Sequence, residues 1–178
     1  MKTSAQLSCS CGKASIEVIG EPFLVTECMC NSCRSSAARL ASLPHAKNML
    51  SPIGATATAM YRKDRVRFVD GFDTLAEFRL AENAGTRRVV ATCCNTPMFM
   101  ELKGAHWLDI YLHLWPEACR PKAQLRTMVS DLGDASELPD DMPNLKNQSV
   151  SFYARLLGSW IAMGFRNPEI AIKEKLHV

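Results

Sequence analysis

Cys28-Met29-Cys30-Asn31-Ser32-Cys33-Arg34 places three cysteines in six residues, at the spacing C-x-C-x-x-C. Two further groups answer it. Cys9-Ser10-Cys11-Gly12 lies upstream, and Cys93-Cys94-Asn95-Thr96-Pro97 lies downstream. Seven of the eight cysteines fall in these groups, so the fold must account for them before anything else.

Grouped thiols read as disulfides or as metal ligands. The first eight residues, Met1–Ser8, contain no apolar core, which predicts that no signal peptide is present. No apolar run reaches membrane-spanning length, so no membrane partner is expected. Both readings predict a cytoplasmic protein, whose thiols stay reduced. C-x-C spacing also suits a shared ion better than a short, strained disulfide ring. Zinc is therefore the leading reading, with redox-active or merely buried thiols as the alternatives. The 178 residues suffice for one domain with a real core. A net charge of +3 is too mild for a dedicated nucleic-acid binder, so no nucleic-acid partner is expected.

Period-two patterning predicts a mainly β chain over residues 5–115. Ala14, Ile16 and Val18 alternate with Ser15 and Glu17, and Val66 and Phe68 alternate with Arg65 and Arg67. Cys11-Gly12 reads as the turn between strands at 5–10 and 13–19. In extended chain, Cys9 and Cys11 share one face. Further strands are expected at 55–60, at Leu75–Leu80, at Arg87–Thr92, at Met98–Leu102 and at Trp107–Leu114. After Cys33, Arg34-Ser35-Ser36-Ala37-Ala38 favours a short helical turn capped by Asn31 or Ser32. Cys33 then sits near a helix N-terminus, which stabilises thiolate.

The pattern changes at Pro116, which divides the chain into a zinc-binding β domain over 1–116 and a helical extension over 117–178. Residues 117–130 read as a helix with Pro121 in its first turn, and 131–147 as an acidic surface loop. A helix over 150–165 carries a stripe of Val150, Tyr153, Leu157 and Ile161, widened by Phe152, Leu156 and Trp160. That stripe is expected to pack on the β domain, with a homodimer interface as the next reading.

Ligand counting separates the clusters, because structural zinc sites close with four ligands and catalytic ones keep a position open. Cys28, Cys30 and Cys33 hold an ion from one loop with a position to spare, where a thiol could bind as thiolate. Alternatively His45, His106, His113 or Cys119 completes a closed site there. Arg34 could offset the cluster's negative charge or meet a carboxylate. Cys9 and Cys11 supply two ligands of a second site, and Cys93 and Cys94 one or two. If the chain is extended at Cys93, only one of the pair reaches the ion; if it is turning, both do. Arg62, Lys63, Arg65, Arg67, Arg87 and Arg88 read as a solvated strand face, with collection of an anionic substrate as the sharper alternative. Cys119 reads as a spare thiol.

The three clusters in this order resemble the family of glutathione-dependent formaldehyde-activating enzymes, which includes centromere protein V. The likeness covers about residues 5–100: C-x-C-G at Cys9–Gly12, C-x-C-x-x-C-R at Cys28–Arg34, Gly-x-x-x-Leu at Gly71–Leu75, and a strand running into Cys94–Pro97. The resemblance implies a zinc-bound β-tent of small coiled antiparallel sheets. It implies a catalytic zinc on Cys28, Cys30 and Cys33 and a structural zinc involving Cys9, Cys11 and Cys94. It further implies a carbon–sulfur lyase activity joining glutathione to formaldehyde as S-(hydroxymethyl)glutathione. The family's last cluster is usually C-x-x-C-G. Here Ala91 replaces its first cysteine, Cys93 directly precedes Cys94, and Asn95 replaces the glycine. Cys93 then substitutes as fourth ligand, or another group does. The expected function is a zinc-dependent enzyme handling a small thiol such as glutathione. The alternative is a non-catalytic zinc module for protein interaction.

Overall fold

The computed structural model describes residues 3–178; Met1 and Lys2, which open the stretch read for a signal peptide, lie outside the described residues. In chain order the elements are β1 Ser4–Ser8, β2 Ser15–Ile19, β3 Leu24–Cys28, α1 Asn31–Ala41, β4 Thr56–Arg62, β5 Val66–Asp70, β6 Leu75–Phe78, β7 Thr86–Ala91, β8 Thr96–Leu102, β9 Trp107–Tyr111, β10 Leu125–Thr127, α2 Val150–Ile161 and β11 Glu174–Lys175. The chain is mainly β with a helix near its C-terminus. The sheets expected to be small and antiparallel are one of three strands, β1-β2-β5, and one of eight, β10-β3-β4-β9-β8-β7-β6-β11. The larger sheet is antiparallel within and parallel at both edges, where β10 joins β3 and β11 joins β6.

Strand alternation decides what each face of the large sheet does. On β4, Ala57, Ala59 and Tyr61 point one way and Thr56, Thr58 and Met60 the other. The first face meets the small sheet. Leu7, Ile16 and Val18 pack there with Val25, Ala59, Tyr61, Val89, Phe99, Leu108 and Ile110, all buried. The second face carries α1, whose buried residues Cys33, Ser36, Ala37 and Leu40 follow the i, i+3, i+4, i+7 spacing of one helix face. Ala37 and Leu40 rest on Phe78, Val90 and Tyr111.

Gly71 fixes how the small sheet closes. Its φ is +63°, and a Cβ there would overlap the Lys13 carbonyl and come within 2.8 Å of Ala14 Cα. Only glycine allows this turn to lie against the chain leaving the Cys9–Cys11 turn.

The region after Pro116 departs from expectation. No α-helix forms over 117–130, where the only helical pieces are 3-10 turns at Glu117–Cys119 and, at its end, Val129–Asp131. Instead Leu125–Thr127 is strand β10, in parallel register with Thr26–Cys28. Its helix-forming residues yield to tertiary pairing, since β3 offers an open edge and Arg126 finds partners there. The Arg126 side chain is only 4% exposed and pairs with Glu27 and Asp141, each at 2.8 Å. The loop beyond covers the outer edge of β10, with Arg126 N donating to Pro143 O and Leu145 N to Arg126 O. Helix α2 is capped by Ser149, whose hydroxyl accepts from Phe152 N. Its predicted inner stripe faces outward: Val150, Tyr153, Leu157 and Ile161 are 86%, 58%, 52% and 55% exposed. The inward side is Phe152, Leu156 and Ser159, followed by Met163. Ser159 anchors it through a 2.7 Å hydrogen bond with His106 Nε2. No helix among the described residues is long and apolar enough to cross a membrane.

Candidate metal centres and thiol pocket

The outer cluster forms where two turns meet. Cys9 and Cys11 sit in the turn between β1 and β2, and Cys93 and Cys94 in the turn between β7 and β8. Cys9 and Cys11 converge through that turn and not along extended chain: Cys9 is buried and Cys11 exposed. Their Sγ atoms lie 3.6 Å apart. Cys93 Sγ is 3.7 Å from Cys9, 3.5 Å from Cys11 and 4.0 Å from Cys94. Four thiolates around zinc at about 2.3 Å would stand about 3.8 Å apart. The residues present therefore fit a closed, four-thiolate ion. The chain is turning at Cys93, so both adjacent thiols reach the group and could contribute. Asn95 adopts φ +54°, a left-handed conformation that asparagine tolerates better than most residues. This explains how it stands where glycine was expected. Thr96 ties the two turns together: its Oγ1 donates to Ser10 Oγ at 3.0 Å and accepts from Ser10 N at 3.1 Å.

The middle cluster forms at a strand-to-helix junction. Cys28 ends β3, Cys30 is the N-cap of α1 and Cys33 lies in its first turn. The cap is thus a cysteine and not Asn31 or Ser32; Cys30 Sγ accepts from Cys33 N at 3.3 Å. The three Sγ atoms lie within 4.8 Å of one another, and among the described residues no histidine, carboxylate or further cysteine joins them. His45, His106, His113 and Cys119 stay outside the group. The donor set therefore suits an ion with one position open. Negative charge concentrates on Cys30, because hydrogen bonds from Cys28 and Cys33 push its thiol down to about 2, with help from the Cys33 N–H and Arg88. The same sharing raises the other two: the bond to Cys30 pushes Cys28 up to about 11, and the bonds to Cys28 and Cys30, with burial, push Cys33 up.

The late segment holds this loop in place. Met29 N donates to Thr127 O at 3.0 Å, and Asn31 N donates to Asp131 Oδ2 at 2.8 Å. Arg34, the cation expected beside the thiols, turns away to Asn31 Oδ1 at 2.7 Å and Asp131 O at 3.2 Å. Arg88 takes that place. It is 1% exposed, and its Nη2 donates to Ser32 Oγ at 2.8 Å and Ser32 O at 3.3 Å. The reading of Lys63, Arg87 and Arg88 as a solvated face does not hold, since all three are largely buried. Arg87 points to the opposite face, bonding Glu101 Oε2 at 2.7 Å and Glu77 Oε2 at 3.1 Å.

The thiols open into a cavity of about 320 Å³ on the second face of the large sheet. Register lays out its floor. Arg88 pairs with Met100, Met100 with Asp109, and Asp109 with Met60, so four strands contribute one cross-sheet row. Trp107 lies in the next row, and Phe152 and Leu156 of α2 form a wall. Asp109 is 9% exposed. Burial pushes its carboxyl up to about 7, partly offset by the Trp107 indole N–H at 3.1 Å. Met128, also on the wall, has φ +59°, a strained conformation of the kind that gathers at functional sites. Sequence reasoning named Arg88 only as one of six cations in the alternative of anionic-substrate collection, and it missed Asp109 and the late segment. The alternation of β7 and β9 was the available signal, but their register was not.

These features define a β protein with two thiol clusters, one closed and one opening into a pocket. Residues 1–115 match the family described as a family of unknown function, DUF6151, and the chain belongs to it. None of the curated proteins matches. The chain is also similar to a crystallised Rhodobacter sphaeroides protein determined as a structural-genomics target, with 17% identity, 79% of this chain and 99% of that chain covered, and a TM-score of 0.46. That likeness is too low to bear on the site.

Proposed function

We propose that the protein is a zinc-dependent thiol-handling enzyme of the carbon–sulfur lyase type, acting on a small thiol such as glutathione, in the β-tent arrangement that the sequence resemblance implies. The observation that carries this reading is the contrast between the clusters. Four sulfurs cluster at one point, whereas three sulfurs, with no fourth protein ligand among the described residues, face a cavity. A zinc ion on Cys28, Cys30 and Cys33 would supply an open position and lower the pKa of a thiol that reaches it.

The reaction is an addition without net oxidation. The thiol loses its proton, its sulfur lone pair forms a C–S bond to the aldehyde carbon, and the C=O π pair moves to oxygen, which takes the proton. The reverse releases thiol and aldehyde. Asp109 is the pocket group suited to carry that proton, with its carboxyl held in the neutral range by burial. Trp107 orients one of its oxygens. Met60, Met100 and Leu156 keep the cavity dry around the reacting atoms.

One observation favours the alternative, a non-catalytic zinc module for protein interaction: the exposed apolar stripe of α2. A single titration separates the two. In cobalt-loaded protein, millimolar thiol should shift the visible spectrum of one of two ions, and Cys30→Ser should abolish the shift while leaving the other ion's bands. A spectrum unmoved by thiol, with both ions bound, would sink the enzyme reading.

A further inference from the structure

Buried cations in this protein are matched with carboxylates, with one exception. Lys63 meets Glu101 at 2.6 Å, Arg87 meets Glu77 at 3.1 Å and Arg126 meets Glu27 at 2.8 Å. Arg88 is buried as deeply as any of them, yet no carboxylate pairs with it among the described residues. Its Nη2 is spent on Ser32, while Nε and Nη1 are buried without a partner. A guanidinium with orphaned N–H groups is costly to bury, and this one lines the cavity that the thiols enter. The two contacts from Nη2 to Ser32 fix the guanidinium plane, so the remaining N–H groups on Nε and Nη1 are held in set directions, each able to donate to a single acceptor oxygen. Ser32 lies between Cys30 and Cys33, which sets the anion site a short span from the three sulfurs.

We propose that Arg88 is a carboxylate-binding subsite, and that the pocket takes a short thiol carboxylic acid with its carboxylate on Arg88 and its thiol at Cys28, Cys30 and Cys33. This rests on the thiol-binding reading above and narrows its substrate class. The rival role for Arg88 is that of a counter-ion to the thiolates, needing no ligand carboxylate. Apolar walls at Met100 and Leu102 suit the short carbon chain between the two anchors.

The test is calorimetric titration of zinc-loaded protein with mercaptoacetate and with its neutral amide. Wild type is compared with Arg88→Gln and Arg88→Lys. The preference for acid over amide should fall about tenfold or more in Arg88→Gln, as loss of a charge-assisted hydrogen bond requires. It should fall in part in Arg88→Lys, which keeps the charge but not the fixed guanidinium N–H groups. An unchanged preference in both variants would overturn the subsite and leave Arg88 a counter-ion. Should Arg88→Gln not fold, as judged by circular dichroism, Arg88→Lys decides alone, since a counter-ion role predicts no change in it. If neither thiol binds, the thiol reading fails, and propionate tests the subsite separately. Propionate binding lost in Arg88→Gln or weakened in Arg88→Lys sustains the subsite, and no propionate binding to wild type ends it.

Discussion

Cys30 joins two roles in one side chain. It caps α1, a place that serine, threonine, aspartate or asparagine usually fills, and hydrogen bonds from Cys28 and Cys33 lower its pKa. The cap was hard to see because a thiol is a weak acceptor until it is ionised. The ligands themselves were legible, since C-x-C-x-x-C closes a cluster through local chain geometry alone. Asp109 was not, and Arg88 was legible only as one of six cations in the alternative of anion collection. They are distant in sequence and share a row only through the pairing of β7, β8 and β9. Asp109 gives a test at this scale. Its carboxyl rises from 3.8 to about 7 on burial, so the native state keeps a proton that the unfolded chain releases. The stability linked to that proton is fully present below 3.8 and is lost as pH rises through about 7. Asp109→Asn should therefore be more stable than wild type near pH 8, by up to about 4 kcal/mol, and the gain should shrink towards about pH 5.5. Urea midpoints across that window measure it, and parallel profiles for the two proteins would refute the assignment.

Among the elements, β10 shows where sequence reading reached its limit. Lys122, Ala123, Gln124 and Leu125 are acceptable in a helix, and the 117–130 window reads as one. The choice was made elsewhere, by the free edge of β3 and by Glu27 and Asp141, which together hold Arg126. Most strands over 5–115 were readable because period-two alternation is local, whereas edge pairing is not. The stripe of α2 was likewise visible, but only its Phe152–Leu156 margin packs inward, because His106 and the sheet select the side bearing Leu156 and Ser159. The turn at Gly71 carries the test for this scale. Its positive φ and its contact with Lys13 and Ala14 leave no room for a side chain. Gly71→Ala should cost about 3 kcal/mol, read as a lowered denaturation midpoint at equal zinc loading. A loss below about 0.5 kcal/mol, the ordinary surface range, would contradict this reading of the turn.

For the whole molecule, the two clusters differ in what they join and what they face. The outer one joins the turn of the three-stranded sheet to a turn of the eight-stranded sheet, so an ion there staples the layers that enclose the core. Structural zinc contributes about 10 kcal/mol or more, comparable to the entire stability of a domain, about 5–15 kcal/mol. The middle cluster bears on a cavity whose floor and walls draw on β7–β9 and α2, segments far apart in the chain. The central claim is that one site is closed by protein and the other is not. Anomalous diffraction at the zinc edge tests it most directly. The account predicts two ions per chain, one bound by Cys9, Cys11, Cys93 and Cys94, and one bound by Cys28, Cys30 and Cys33 with a fourth ligand that is not protein. A single ion, or a fourth protein ligand at the middle site, would contradict it.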